Sequence, residues 1–430
     1  MQSQGLPGFR DFYPDDAALR NHIFAAWRDV ARRYGFQEYD GPPLEPLELY
    51  VKKSGAEIVG QLYTFEDRGG RSVAFRPEMT PTLARMVAAR GRALKKPIRW
   101  FSLPQLMRYE RPQRGRLREH FQLNMDIIGE PGPLADAELI AAAIDITRKL
   151  GLGPADVRAR ISDRRAVRAL VDALGLSDAQ VPIAFQYIDK IERESRATLI
   201  DGLADSAGIS SDTAEQVLDL GDIRGLEGAL AALDEVPGGA EAGEPLRHCV
   251  AALDALGMSE YVDIELCVVR GLAYYTGIVF ELFDAHKALR AICGGGRYDG
   301  LLAALGGTDL PAAGFGMGDV VLGELVTEAG ARPSAQVGLD AFLVAVTGED
   351  VPHVLQLARQ LRDRGLRIEY ALKQQSIAKQ LKLAASRPAK RAVVIGPDER
   401  AHSEVVVRDL ESGKEQRVAV DSLLQGYSWS

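Results

Sequence analysis

Five arginines, Arg108, Arg111, Arg114, Arg116 and Arg118, fall within eleven residues of the segment from Met107 to Gln122. Pro112 and Gly115 permit a turn among them, so the segment is expected to form a strand, a loop and a strand. Guanidinium groups offer planar pairs of donors that match phosphate oxygens. A nucleic-acid backbone or plain solvent would suit the same composition. Upstream, Arg76-Pro77-Glu78-Met79-Thr80 sets a carboxylate between a strand and a helix. Such a carboxylate is either a local cap or an anionic contact for a substrate ammonium group. Downstream, Arg270 stands in a Val- and Leu-rich stretch that runs on to Tyr274-Tyr275-Thr276-Gly277. An unpaired charge there would be costly, so Arg270 needs a partner or a ligand. The run Gly294-Gly295-Gly296 is not a P-loop, because no Gly-Lys-Ser/Thr follows it. It marks a bulge or a close approach of backbone.

Other chemistries find less support. Cys249, Cys267 and Cys293 are widely spaced and odd in number, and the six histidines form neither an HExxH nor an HxH pair. Neither a disulfide framework nor a structural metal is expected. No long apolar run and no signal-peptide pattern is present, so the expected location is the cytosol, away from membranes. The formal net charge is −8, but it is uneven: 201–265 holds 15 acidic against 2 basic residues, whereas 353–391 holds 10 basic against 2 acidic. Local fields steer a polyanion, so the basic C-terminal stretch is either a nucleic-acid face or a solvated helix surface.

These segments need elements to hold them. Pro14-Asp15-Asp16 starts a helix whose apolar residues Leu19, Ile23, Trp27, Val30 and Tyr34 recur every three or four positions, up to Gly35. Gly41, Pro42, Pro43 and Pro46 make 36–48 an extended edge. Strands are expected at 62–66, 72–75, 99–110 and 121–128, with helices at 80–90 and 134–150. Short loops between consecutive strands favour an antiparallel sheet. Residues 160–255 read as a helical insertion in that sheet, which resumes at 261–269, 277–283 and 288–293. Residues 329–337 have linker composition. Beyond them 338–430 reads as a small α/β domain: strands at 339–346, 366–372 and 391–395, helices at 351–364 and after a possible Ser376 cap, and a hairpin over 404–420. The overall fold class is α+β.

The order of residues in Met107–Gln122 closely resembles the second signature motif of class II aminoacyl-tRNA synthetases, in the version carried by histidyl-tRNA synthetases. Val269–Gly277 is similar to that family's Arg-Gly-Leu-Asp-Tyr-Tyr-Thr segment, and Ile292–Gly300 to its glycine-rich strand. Pro7-Gly8-Phe9-Arg10-Asp11 and Arg76–Thr80 also fit. The resemblance implies a catalytic domain over 1–328 and an anticodon-binding domain over 338–430. It implies activation of L-histidine with ATP and Mg2+, transfer to tRNA(His), and a homodimer. Carried over by position, it puts Glu78 and Gln122 at the amino group of histidine, with Met79 and Thr80 beside them. Arg108 would hold the α-phosphate, with Glu110 and Arg116 around ATP. Asp126 and Tyr275 would read the imidazole, near Tyr274 and Tyr298, and Arg270 would contact carboxylate and α-phosphate. Lys373, Lys379 and Lys382 are the expected phosphate contacts to tRNA.

The match has departures. The third class II motif ends in an arginine at ATP, whereas Ala313–Val321 keeps the glycines but has Val320 and Val321 where Glu and Arg are usual. Ala273 replaces an Asp, and His120-Phe121 reverses the commoner order. Either another arginine compensates, Arg297 or Arg116, or the chain is a histidine sensor similar to the regulatory subunit of ATP phosphoribosyltransferase. A ligase acting on a carrier other than tRNA is a third reading, at odds with the basic C-terminal domain.

Overall fold

The computed structural model describes residues 5–51, 60–91, 93–270, 274–286, 289–304, 309–334 and 338–429. They form two compact units that divide between Pro333 and Ser334. In the first unit, Pro14–Arg33 is a helix with proline and two acids in its first turn and Arg32 and Arg33 in its last, an arrangement that complements the helix dipole. It buries Ile23, Trp27 and Val30 in the core, where the Trp27 indole N–H meets Sδ of Met317 in the main sheet at 3.3 Å. Gly35, with φ of 77°, turns the chain out of the helix.

The main sheet runs, edge to edge, through Gln37–Glu38, Ile98–Ser102, Glu119–Ile128, Ala312–Gly318, Cys293–Arg297, Ile278–Asp284, Val157–Asp163 and Val262–Ile264. Its interior pairings are antiparallel, and the two outermost pairings are parallel. Gln105–Met107 pairs with the start of Glu119–Ile128. The single strand expected over 99–110 is therefore two strands and a loop, broken at Leu103-Pro104, where proline has no N–H for a ladder. Leu44–Pro46, Ser72–Phe75 and Thr64–Glu66 form a separate three-stranded sheet, and the short helix Leu47–Val51 begins within the last two residues of the stretch 36–48 expected to be extended.

Six α-helices follow Asp163, from Arg164–Ala173 to Gly239–Ala255, and carry their own apolar faces into the common core. The helical stretch thus begins four residues later than its composition suggests. Residues 160–163 belong to a strand in which Val157, Ala159 and Ile161 point inward at alternate positions. The strand expected over 261–269 is confined to Val262–Ile264.

In the second unit a five-stranded sheet runs Ile368–Tyr370, Ala341–Ala345, Arg391–Ile395, Glu404–Asp409, Glu415–Ala419. The first three are parallel and the last two antiparallel. Helices Val351–Asp363 and Ile377–Ser386 cover it, the former led by a Thr347/Asp350 capping box. Ser376 stands at the N-cap of the latter, but its side chain makes no capping bond. Of the expected linker 329–337, residues 335–337 lie outside the described residues. Among the described residues no helix is long and apolar enough to cross a membrane.

Candidate active site

The strand Glu119–Ile128 supplies the floor of a cleft of about 1150 Å3 in the first unit. Side chains alternate across a strand, so His120, Gln122, Asn124 and Asp126 face the cleft while Leu123, Met125 and Ile127 enter the core. Space for the polar face comes from the neighbouring strand. Gly314 lies opposite Asp126, and a Cβ there would collide with the Asp126 carboxylate; a Cβ on Gly316 would collide with the Gln122 amide. Gly294 likewise makes room for the Arg270 guanidinium. The glycine runs are thus the clearance around three polar side chains, which is the close-approach reading of their pattern.

Glu78, Thr80, Arg108, Glu110, Arg116, Gln122, Asp126, Arg270, Tyr274, Tyr275 and Tyr298 all line this cleft. Met79 does not: it is fully buried behind the site, its sulfur 3.9 Å from a guanidinium nitrogen of Arg76. Lys373, Lys379 and Lys382 are exposed in the second unit.

Of the five clustered arginines only Arg108 and Arg116 reach the cleft. The hairpin is closed by Arg108 N–H to Arg118 C=O at 2.9 Å and by reciprocal 2.9 Å bonds between Gln113 and Arg116, with Gly115 at φ of 72° in the tip. Arg118 lies over the Tyr109 ring at 4.2 Å. Arg114 is held by Glu324 at 3.0 Å and Glu328 at 2.6 Å on the helix Asp319–Glu328. Arg108 is aimed by its Nε–H, which donates to the Pro77 carbonyl at 2.9 Å. Arg116 pairs with the buried Glu110. The opening motif braces this region, Arg10 binding Glu119 at 2.6 Å and Asp319 at 3.0 Å.

At the inner end, the Tyr298 hydroxyl donates to Asp126. Burial pushes the Asp126 carboxyl up to about 7, and the bond from Tyr298 only partly opposes this. Tyr274 packs against Tyr275 and Tyr298, at ring separations of 4.8 and 6.0 Å. His120 is pushed down to about 4, first by burial and then by Arg108, and is therefore neutral at physiological pH. Arg270 pairs with Glu281, which keeps its charge despite burial, while its buried Nε–H has no partner among the described residues. Arg270 also has φ of 60°, a backbone state costly for a side chain of this size and frequent at functional sites. Gly271, Leu272 and Ala273, the position of the missing Asp, lie outside the described residues.

Val320 and Val321 line the cleft where the usual arginine is absent. Arg297 cannot fill that gap. Its guanidinium is buried against Asp136 at 2.6 Å and against the carbonyls of Glu130 and Gly132 at 3.0 and 3.1 Å. Sequence reasoning also passed over Glu281, Asn124 and Arg290, all in the cleft lining. An acid within the apolar strand Ile278–Asp284 was the available signal for Glu281.

Comparison with known proteins agrees with this arrangement. Residues 8–318 match the family described as histidyl-tRNA synthetase, and 340–426 match an anticodon binding domain. A histidine–tRNA ligase of Opitutus terrae is 44% identical over 96% of this chain and 95% of its own length. A chloroplastic/mitochondrial histidine–tRNA ligase of Arabidopsis thaliana is 40% identical over 97% of this chain and 85% of its own. The crystal structure of histidyl-tRNA synthetase from Nostoc sp. PCC 7120 superposes with a TM-score of 0.83 at 25% identity, covering 99% of this chain and 98% of that one. With its polar strand face, clustered tyrosines and paired arginines in one cleft, and with relatives matched along nearly its whole length, the chain belongs to the histidyl-tRNA synthetase family.

Proposed function

We propose that the chain is a histidine–tRNA ligase, which joins L-histidine to ATP as histidyl adenylate and passes the histidyl group to the 3′ end of tRNA(His). The observation that carries this reading is the convergence of Glu78, Gln122, Asp126, Arg108 and Arg270 on one cleft. Glu78 and Gln122 take the α-ammonium group. Asp126, oriented by Tyr298, accepts the imidazole N–H, with Tyr275 on its other side. Amino acids without that group would leave buried polar atoms unpaired, which is a strong basis for rejection.

Activation needs the histidine carboxylate to attack the α-phosphorus in line, with pyrophosphate leaving. The chain supplies position and positive charge rather than a nucleophile. Arg270 draws the carboxylate toward the phosphorus, and Arg108 meets the charge that builds on the α-phosphate oxygens. Glu110 fixes Arg116 toward ATP. Mg2+ enters with ATP as part of the substrate; among the described residues no three His, Cys, Asp or Glu side chains gather into a site for it.

The domain roles follow: residues 1–328 catalyse, 329–337 link, and 338–430 bind the anticodon region. Lys373, Lys379 and Lys382 contact tRNA phosphates there. Replacing all three with Gln should reduce the slope of log affinity for tRNA against log salt by about 2–3, since each phosphate contact contributes close to one. An unchanged slope in a salt titration would remove the assignment. The working form is a homodimer in the cytosol, with the Pro14–Arg33 helix and the Pro-rich 41–46 segment near the partner.

The decisive experiment is ATP–pyrophosphate exchange with each of the twenty amino acids, followed by charging of tRNA(His). Exchange and charging with histidine alone are expected. A folded protein that binds histidine without exchange would instead be a sensor, and exchange without charging would point to a different carrier. The full-length match to ligases that include the C-terminal domain favours the ligase over the sensor.

A further inference from the structure

We propose that Arg290 is the cation that holds the distal phosphates of ATP in this chain, doing from the loop before Cys293–Arg297 what Val321 cannot do. The proposal rests on the placement of ATP in the cleft with Arg108 at the α-phosphate. Three distant segments meet at one corner of that cleft: the hairpin tip at Gly115, the start of the helix Asp319–Glu328 at Val321, and the approach to the glycine strand at Arg290. A Cβ built on Gly115 would stand 3.1 Å from Cγ2 of Val321 and 3.9 Å from Cδ of Arg290. Val321 is buried and apolar, so it offers no side-chain cation or donor to the corner from the helix side.

The same hairpin relates this corner to the reacting end. Its base, where Arg108 pairs with Arg118, is tied to Pro77 beside Glu78; its tip lies against Val321 and Arg290. A triphosphate that starts at Arg108 and follows the hairpin outward ends at Arg290.

The charge inventory separates Arg290 from its neighbours. Arg114 is bound to Glu324 and Glu328, Arg116 to Glu110, Arg270 to Glu281, Arg160 to Glu192 and Glu265, and Arg193 to Asp189. Arg290 lines the cleft, is exposed, and makes no ion pair among the described residues. Partial burial and the repulsion of Arg116 and Arg193 act against its charge, with only Glu110 in its favour. An uncompensated guanidinium at the mouth of a phosphate cleft is a charge that binding of a polyanion relieves. During the reaction no bond to Arg290 forms or breaks: it holds the β- and γ-phosphates as the bond from the α-phosphorus to the bridging oxygen breaks and pyrophosphate departs.

The test is Arg290→Ala in the full-length protein, with Arg290→Gln carrying the same test should the alanine variant not fold. KM for ATP in histidine-dependent exchange should rise about 10- to 100-fold, the loss expected for one charge-assisted phosphate contact. KM for pyrophosphate in the reverse direction should rise with it. KM for histidine and affinity for a non-hydrolysable histidyl-adenylate analogue, which lacks those phosphates, should stay unchanged. Arg290→Lys should keep part of the ATP affinity, and adding Val321→Arg to Arg290→Ala should restore it. Unchanged KM for both ATP and pyrophosphate would overturn the proposal, as would an equal loss of affinity for the adenylate analogue. Absence of exchange in the unaltered protein would instead remove the placement of ATP on which the proposal rests.

Discussion

Arg108→Ala is expected to lower kcat/KM for histidine-dependent pyrophosphate exchange by about 10²- to 10³-fold, the usual cost of losing one preorganised donor at a centre of developing charge. The donor is preorganised because its backbone N–H is tied to Arg118 and its Nε–H to Pro77 before any ligand arrives. Its only ion pair among the described residues, to Glu110, is long at 4.0 Å, so removal leaves little uncompensated charge. The variant should therefore melt within a few degrees of the unaltered protein and keep its oligomeric state. Folded Arg108→Ala protein that exchanges at the original rate would take the α-phosphate away from this residue.

Asp126→Asn should move stability and binding in opposite directions. In the folded, ligand-free protein the Asp126 carboxyl keeps its proton up to about pH 7, because burial penalises the charged form; unfolded, it releases the proton near 3.8. Between those values the unfolded state binds fewer protons, so stability falls as pH rises from about 4 to 7. The full shift corresponds to on the order of 4 kcal/mol, an upper bound for one group. Asparagine has nothing to ionise and can still accept from the Tyr298 hydroxyl. The variant should thus melt higher at pH 8, and its advantage should shrink toward pH 4. It also loses the anionic acceptor for the imidazole, so KM for histidine should rise about 10- to 100-fold while KM for ATP holds. Equal melting points at pH 8 would refute the burial argument, and an unaltered KM for histidine would refute the imidazole contact.

Local features of this chain were legible wherever their causes were local. Pro14, the acidic first turn and the spacing of Ile23, Trp27 and Val30 define a helix without outside help. The site segments were legible because residue order within each resembles a known family. What stayed hidden depends on partners far along the chain. Arg114 looks like a phosphate ligand until Glu324 and Glu328, some 210 positions away, are brought beside it. Arg297 looks like a spare cation until Asp136 and two carbonyls enclose it. Arg290 is inconspicuous in the sequence because a lone loop arginine has no periodicity, and its meaning arises only beside Gly115 and Val321. The stretch 99–110 differs in kind, because the missing N–H of Pro104 splits it while the apolar and aromatic residues on either side suit one continuous strand.

The strand Glu119–Ile128 carries substrate contacts on one side and hydrophobic core on the other at every second position. Its alphabet can therefore drift one letter at a time, but its length cannot. Inserting or deleting a single residue within it would exchange the two faces for everything downstream, pushing Gln122, Asn124 and Asp126 toward the interior and Leu123 and Met125 toward the ligands. Fold and catalysis would fail together, with no intermediate loss of one alone. Within the preceding hairpin, the exposed Arg111 and Pro112 belong to neither the cleft lining nor the core, and variation in length among descendants of this chain should collect beside them and stay out of the strand.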